Sequence, residues 1–334
     1  RGRFALVFAR CALLYQRDIP MHLEPKESKM ELAQYLEQKK ATIDAALLEL
    51  VSSTGAGHGG ACGDALERLA ESMRYTLALD GKRLRPILTL AAAEALGVDE
   101  QTVLPAACAM EAIHVFSLIQ DDMPALDNDD LRRGKPSNHK VFGEAIALLA
   151  SDALLNAAYR WVSESCRRAA LEAPNALDCL DLVTDAIGEA GLIGGQAIDL
   201  LTEKRSDLLE ADLHTIHAMK TGALIALSLE VGARLGRAAP ETLARFREYG
   251  RLIGLAFQVV DDILDNTEST EVLGKPAGSD ARRERGTYYS LLGEAGARAR
   301  ANELVARAKE TVALLGAHAE RFHALADFIV DRHF

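Results

Sequence analysis

Apolar residues recur at helical spacing along almost the whole of this 334-residue chain, and alternating runs of Val, Ile and Thr are nearly absent. A period near 3.6 places apolar side chains on one stripe of a helix, whereas a half-buried strand needs a period of two. The pattern therefore predicts an all-α fold. Candidate helices fall at 31–51, 64–79, 85–97, 102–120, 143–169, 177–201, 207–217, 219–236, 241–265, 290–315 and 317–330. The Gly-rich stretch STGAGHGGACG (53–63) reads as a loop, and 172–176 and 236–240 as helix–helix connections. No linker is long or polar enough to divide the chain, so residues 30–334 are expected to form a single large helical bundle.

Charge and composition exclude several classes. The net charge is −11, which argues against a nucleic-acid binder, since that needs a basic face. The five cysteines (Cys11, Cys62, Cys108, Cys166 and Cys179) are scattered and form no CxxC pair. They read as reduced thiols in a cytoplasmic protein. No apolar run approaches the roughly 18 residues that a membrane span takes. The first twenty residues contain Arg, are largely apolar, and have no acid before Asp18, a composition shared with transit and signal-like segments. Residues 1–29 are set apart as an N-terminal extension outside the fold.

Two acidic clusters each close an apolar helical stretch. The first, DDMPALDNDDLRRG (121–134), has the spacing DDxxxxD at Asp121, Asp122 and Asp127. Six residues do not return to one face of a regular helix, since the step lands roughly 120° away. Pro124 perturbs the helix here, and a distorted end would bring Asp127 back beside Asp121. The second cluster, DDILD, places Asp261, Asp262 and Asp265 on one helix face. Each cluster alone reads as a solvated helix end. Two of them facing one another in a bundle suit a divalent metal such as Mg²⁺, which takes carboxylate and phosphate oxygens.

The cations complete the pattern. GKRLRP (81–86) packs Lys82, Arg83 and Arg85 into a turn. Arg132 and Arg133 follow the first acid cluster, Lys220 interrupts the apolar HAMKTGALIAL, and Lys275 lies in the loop LGKPAG. A Lys inside an apolar helix is costly without an anionic partner. Arg offers a planar fork that matches phosphate, and Lys a point charge. Five basic elements beside two acid clusters suggest two anions, one held through metal and one directly.

These motifs, with EAIHVFSLIQDDMPALDNDDLRRG, GEAIALLASDALL, GLIGGQAIDL, HAMKTGALI, GLAFQVVDDILD and LGKPAGSD, occur in the order found in trans-prenyl diphosphate synthases. The chain resembles that family from about residue 30 onward, and most closely the bacterial farnesyl diphosphate synthase (geranyltranstransferase) type. The resemblance implies an all-α homodimer of the isoprenoid synthase fold, with helices around a deep central cavity. It implies that Asp121, Asp122, Asp127, Asp261, Asp262 and Asp265 bind Mg²⁺, three ions per site, bridging an allylic diphosphate. Arg132, Lys220, Thr221, Gln258 and Lys275 match residues that contact that substrate. Lys82, Arg85, His114 and Arg133 match the isopentenyl diphosphate site. The implied reaction joins isopentenyl diphosphate to dimethylallyl or geranyl diphosphate and gives farnesyl diphosphate.

Product length in this family follows the bulk just before the first aspartate motif. Phe116, with Ser117 next to it, lies five residues before Asp121, roughly 7–8 Å down a helix. A fifteen-carbon product is expected, with geranylgeranyl diphosphate as the alternative. Three departures from the family pattern stand out: Asp80 in place of a second Gly, Gln120 in place of a frequent His, and Arg285 in RGTYY where Lys is usual. The segment 266–287 reads as a lid. A terpene cyclase is disfavoured by the two Asp motifs, GKRLRP and a low aromatic content of 5%. A catalytically silent regulatory subunit is disfavoured by the intact acid motifs.

Overall fold

The computed structural model describes residues 29–52, 60–203, 205, 207–267 and 286–331. Within them the chain forms helices α1 (Lys29–Ser52), α2 (Gly60–Leu77), α3 (Leu84–Glu94), α4 (Glu100–Asp121), α5 (Asn138–Phe142), α6 (Glu144–Arg168), α7 (Ala173–Ile187), α8 (Leu192–Thr202), α9 (Glu210–His217), α10 (Ala223–Leu235), α11 (Pro240–Thr267), α12 (Tyr288–Val312) and α13 (Ala319–Val330). This is the all-α bundle expected.

α4 is apolar on every side, with fourteen buried residues from Val103 to Ile119, and such a helix is stable only inside a bundle. Asp99 caps its N-terminus, its carboxylate accepting from the Thr102 N–H at 3.3 Å. One apolar core forms around α4 with α6 and α7, including Trp161, Met110, Phe116 and Leu154. A second forms around α11 with α12 and α13, including Phe246, Tyr249, Phe322 and Tyr288. α3 and α10 serve both. Ile87 and Leu90 of α3 pack into the first core and Leu84 and Leu88 into the second; Leu224, Leu227 and Val231 of α10 join the first, Ile225 and Leu229 the second.

The structure departs from the sequence-based expectation at several places, the short helix α5 among them. The helix expected over 177–201 is broken at 188–191 between α7 and α8. Gly188 and Gly191, which weaken helices, leave helical geometry there. The helices expected at 207–217 and 219–236 are joined by one π-helical turn, Ala218–Gly222. A two-stranded hairpin, β1 (Leu131–Arg132) with β2 (Lys135–Pro136), appears where no strand was expected. Its two turn residues, Arg133 and Gly134, have φ of 52° and 74°, the paired left-handed geometry that matches strand twist. The loop at 53–63 ends earlier, since α2 begins at Gly60. Finally, α4 is long and apolar enough to cross a membrane, with mean hydropathy 1.6, contrary to the expectation that no such stretch exists. Its most apolar window is 78% buried inside the protein, which makes it the core helix rather than an unpartnered span.

Candidate active site

The first acid cluster is built by the way α4 ends. The Asp127 N–H donates to the Asp121 carbonyl at 2.8 Å, while the Leu126 and Asn128 N–H groups both donate to the Met123 carbonyl at 2.9 and 3.0 Å. Asn128 takes φ of 52°, a left-handed value Asn tolerates. The chain thus doubles back after α4 and sets Asp127 beside Asp121. Burial first, then the neighbouring carboxylates of Asp127 and Asp122, raise the Asp121 carboxyl to about 6; Lys220 and Arg132 oppose the rise. Asp122 is buried and is gripped by Arg132, whose Nε donates to Oδ1 at 3.0 Å and Oδ2 at 3.2 Å, with Nη2 also on Oδ1.

The hairpin distributes its two arginines. Arg132 turns to the acid cluster. Arg133 turns to the end of α2, where Nη1 donates to the Leu79 carbonyl at 3.2 Å and Nη2 lies 4.0 Å from Glu111. The guanidinium of Arg133 lies so close over Gly81 that a Cβ there would stand 2.6 Å from Nη1. Half-buried Arg85 and exposed Lys82 flank this region. His114, on α4, is held neutral far below its ordinary range, first by burial and then by Arg85, Arg133, Arg132 and Arg83. The family resemblance implied one group of Lys82, Arg85, His114 and Arg133, and in the structure Arg85 and Arg133 both act on His114. Buried Arg83, left unassigned from sequence, joins them.

The second acid cluster closes the apolar face of α11, with Asp262 and Asp265 buried. Asp262 accepts from the Tyr288 N–H at 2.9 Å and from Gln258 Nε2 at 3.3 Å, and lies 3.6 Å from His217 Nε2. Thr221 Oγ1 donates to Gln258 Oε1 at 2.9 Å. The π turn that carries Thr221 also carries Lys220, whose Nζ donates to Asp199 of α8 at 2.7 Å. Lys220 acts electrostatically on Asp121, so the π turn links the two acid clusters. The turn needs Gly195, because a Cβ there would stand 2.3 Å from the Lys220 nitrogen. Glu111, Asp199 and His217 were missed from sequence. For Glu111 and Asp199 the signal was present: each is a charge inside an apolar helix, the reasoning applied to Lys220.

Phe116 is 2% exposed within the α4 core, and the neighbouring Ser117 hydroxyl is spent on the His114 carbonyl at 2.8 Å. Lys275, Arg285 and nearly all of the expected lid lie outside the described residues. The donors are carboxylate oxygens, the hard-ligand chemistry of Mg²⁺. The Asp121 carboxyl is raised first by burial and further by the carboxylates of Asp127 and Asp122, a crowding that a cation would relieve. Among the described residues no three His, Cys, Asp or Glu side chains make a ready cage. A divalent cation therefore fits here when oxygens of a bound anion complete its shell.

The sequence pattern of the polyprenyl synthetase family matches residues 66–321. A dimethylallyltranstransferase from Fischerella ambigua is 43% identical over 306 residues, covering 92% of this chain and 85% of that protein. A geranylgeranyl diphosphate synthase from Cyanophora paradoxa is 38% identical over 311 residues, 93% of this chain and all of that protein. The crystal structure of an FPP/GFPP synthase from Zymomonas mobilis superposes with a TM-score of 0.78 at 36% identity, over 91% of this chain and 100% of that one.

Proposed function

The chain belongs to the polyprenyl synthetase family and is a prenyltransferase, and from that premise we propose that it makes farnesyl diphosphate. Isopentenyl diphosphate is added head to tail to dimethylallyl diphosphate and then to geranyl diphosphate. The observation that carries the reading is the mixed field around Asp121. Three crowded carboxylates meet Lys220 and Arg132, an arrangement matched to a diphosphate that brings its own cation.

Asp121, Asp122, Asp127, Asp261, Asp262 and Asp265 would hold Mg²⁺ together with substrate oxygens. Bound there, the ions would supply charge neutralisation for the departing diphosphate. Arg132 and Lys220 add fixed positive charge on the same leaving group. Thr221 and Gln258 hold the π turn against α11, which orients Lys220. As the allylic C–O bond breaks, its electron pair leaves with the diphosphate. The isopentenyl double bond attacks the allylic cation, and a proton is then lost to the released diphosphate. Lys82, Arg85, His114 and Arg133 would seat the isopentenyl diphosphate. Phe116 would close the cavity floor at fifteen carbons. A twenty-carbon product is the second reading, supported by the relatives described as geranylgeranyl diphosphate synthases. A cytoplasmic homodimer, with residues 1–29 outside the catalytic unit, belongs to the same proposal.

The test is incubation with isopentenyl and dimethylallyl diphosphates and Mg²⁺, followed by dephosphorylation and separation of the alcohols by length. A dominant farnesol peak is expected. Geranylgeraniol would retain the chemistry and remove the Phe116 argument. No product from folded, Mg²⁺-supplied protein would turn the reading to a silent regulatory subunit.

A further inference from the structure

GKRLRP does not act as one basic patch. Arg83, at its centre, is 3% exposed and aims its fork inward. Nε donates to Asp44 of α1 at 2.6 Å, Nη1 to Glu111 of α4 at 2.6 Å, and Nη2 to the carbonyls of Leu77 and Leu79 at 2.7 and 3.0 Å. With these donors committed, the guanidinium is built into the fold and turned away from any diphosphate. Its backbone takes φ of 49°, which reverses the chain into α3. Lys82 is thereby left exposed on one side of the post and Arg85 half-buried on the other.

Glu111 is the other half of this post. It is 2% exposed, and its Oε1 takes the Arg83 bond and lies 4.0 Å from Arg133 Nη2. Arg133 also shares the Leu79 carbonyl with Arg83. Four guanidinium groups act on His114 from around it. Burying that much like charge is expensive without a paired anion. Glu111 lies three residues before His114 on the same helix, so both project to one face.

We infer that Glu111 and Arg83 are positioning residues of the isopentenyl diphosphate subsite: the buried pair fixes Arg133 and the GKRLRP turn while touching no substrate itself. This rests on reading Lys82, Arg85, His114 and Arg133 as that subsite. Glu111→Gln removes the anion and keeps the shape. Arg133 then loses the counter-charge 4.0 Å from it, and the KM for isopentenyl diphosphate rises about tenfold, between the strengths of such a charge pair in bulk water and near a protein surface. The KM for geranyl diphosphate stays within about twofold, since Arg132 and Lys220 have partners elsewhere. Glu111→Asp keeps the charge and restores part of the loss.

The experiment measures both KM values, kcat and the melting temperature for the full chain carrying Lys82→Ala, Glu111→Gln, Glu111→Asp or Arg83→Lys. A selective rise for isopentenyl diphosphate in Lys82→Ala, Glu111→Gln and Arg83→Lys, with partial recovery in Glu111→Asp, is the expected result. If Lys82→Ala is selective but Glu111→Gln leaves both KM values alone or raises them equally, the positioning role is wrong and the subsite stands. If Lys82→Ala is not selective, the subsite reading falls and the inference with it. Should Glu111→Gln fail to fold, Arg83→Lys and Glu111→Asp carry the same comparison, and equal effects on both substrates overturn the role.

Discussion

Gly195→Ala tests whether α8 sets the position of Lys220. The new Cβ would stand 2.3 Å from the Lys220 nitrogen, 2.7 Å from its Cα and 2.8 Å from the Met219 carbonyl carbon, all backbone atoms that cannot rotate aside. Ordinary contact begins at 3.4 Å, so α8 and the π turn must part by about 1.1 Å. Overpacking of this kind costs about 2 kcal/mol, which lowers the melting temperature of a chain this long by about 3 °C. The functional cost is larger. In the proposed mechanism Lys220 meets the leaving diphosphate, and a shift near 1 Å in such a group costs on the order of 100-fold in rate. Steady-state assays varying geranyl diphosphate at saturating isopentenyl diphosphate, beside a thermal melt, read both effects. The expected outcome is a small loss of stability with a loss of about 100-fold in kcat/KM for the allylic substrate. A variant melting several degrees lower with unchanged allylic kinetics would show that the π turn can move without consequence, and the reasoning would fail.

Asp199→Asn should raise the KM for geranyl diphosphate by about tenfold, because Lys220 loses its charged partner; an unchanged value removes Asp199 from the site. Phe116→Ala should lengthen the product at a stability cost of about 3–5 kcal/mol, and a folded, active variant still making farnesyl diphosphate would sink the floor argument. In metal-free, substrate-free protein His114 should contribute a loss of stability as pH falls, opposed by Asp121, whose carboxyl, raised to about 6, takes up a proton in the folded state first. An unfolded His protonates near 6.5, whereas the folded His114 is held well below that value, so the unfolded state binds the extra proton. The His114 contribution below pH 6.5 is at most about 1.4 kcal/mol per unit for one proton, and His114→Gln should remove it, so that the variant loses less stability than the parent in melts between pH 7 and 5; identical pH dependence in the two proteins counts against the neutral imidazole.

Helix type and order were legible because α11 carries a long, periodic apolar pattern and α4 an apolar stretch too long for a strand. The break at 188–191 was not, since periodicity runs through GEAGLIGG and reports which side chains are apolar rather than which ψ the backbone adopts. The hairpin escaped for a different reason: two residues per strand leave no alternation to detect, and the Arg133–Gly134 turn is its whole signature. At the site, residue types gave the acid clusters and their cations. Pro124 hinted at the doubling back of Asp127 but not at the bond to the Asp121 carbonyl that achieves it. The division of labour inside GKRLRP could not be read from spacing. Which arginine turns inward depends on Asp44 and Glu111, carboxylates brought from 39 and 28 residues away.

The sharing of α3 and α10 between two cores bears on how the molecule comes apart. Two cores in a chain of this length would ordinarily permit stepwise melting, one half surviving while the other opens. Here Leu227 and Leu229, two residues apart on one helix, belong to different cores. Releasing either half strips one face of α10 and of α3, leaving both helices with an apolar surface in water. Among the described residues no plane therefore divides the two cores cheaply. Denaturant unfolding followed by tryptophan fluorescence, which reports Trp161 in the first core, should coincide with the loss of helical circular dichroism from both, in one cooperative step.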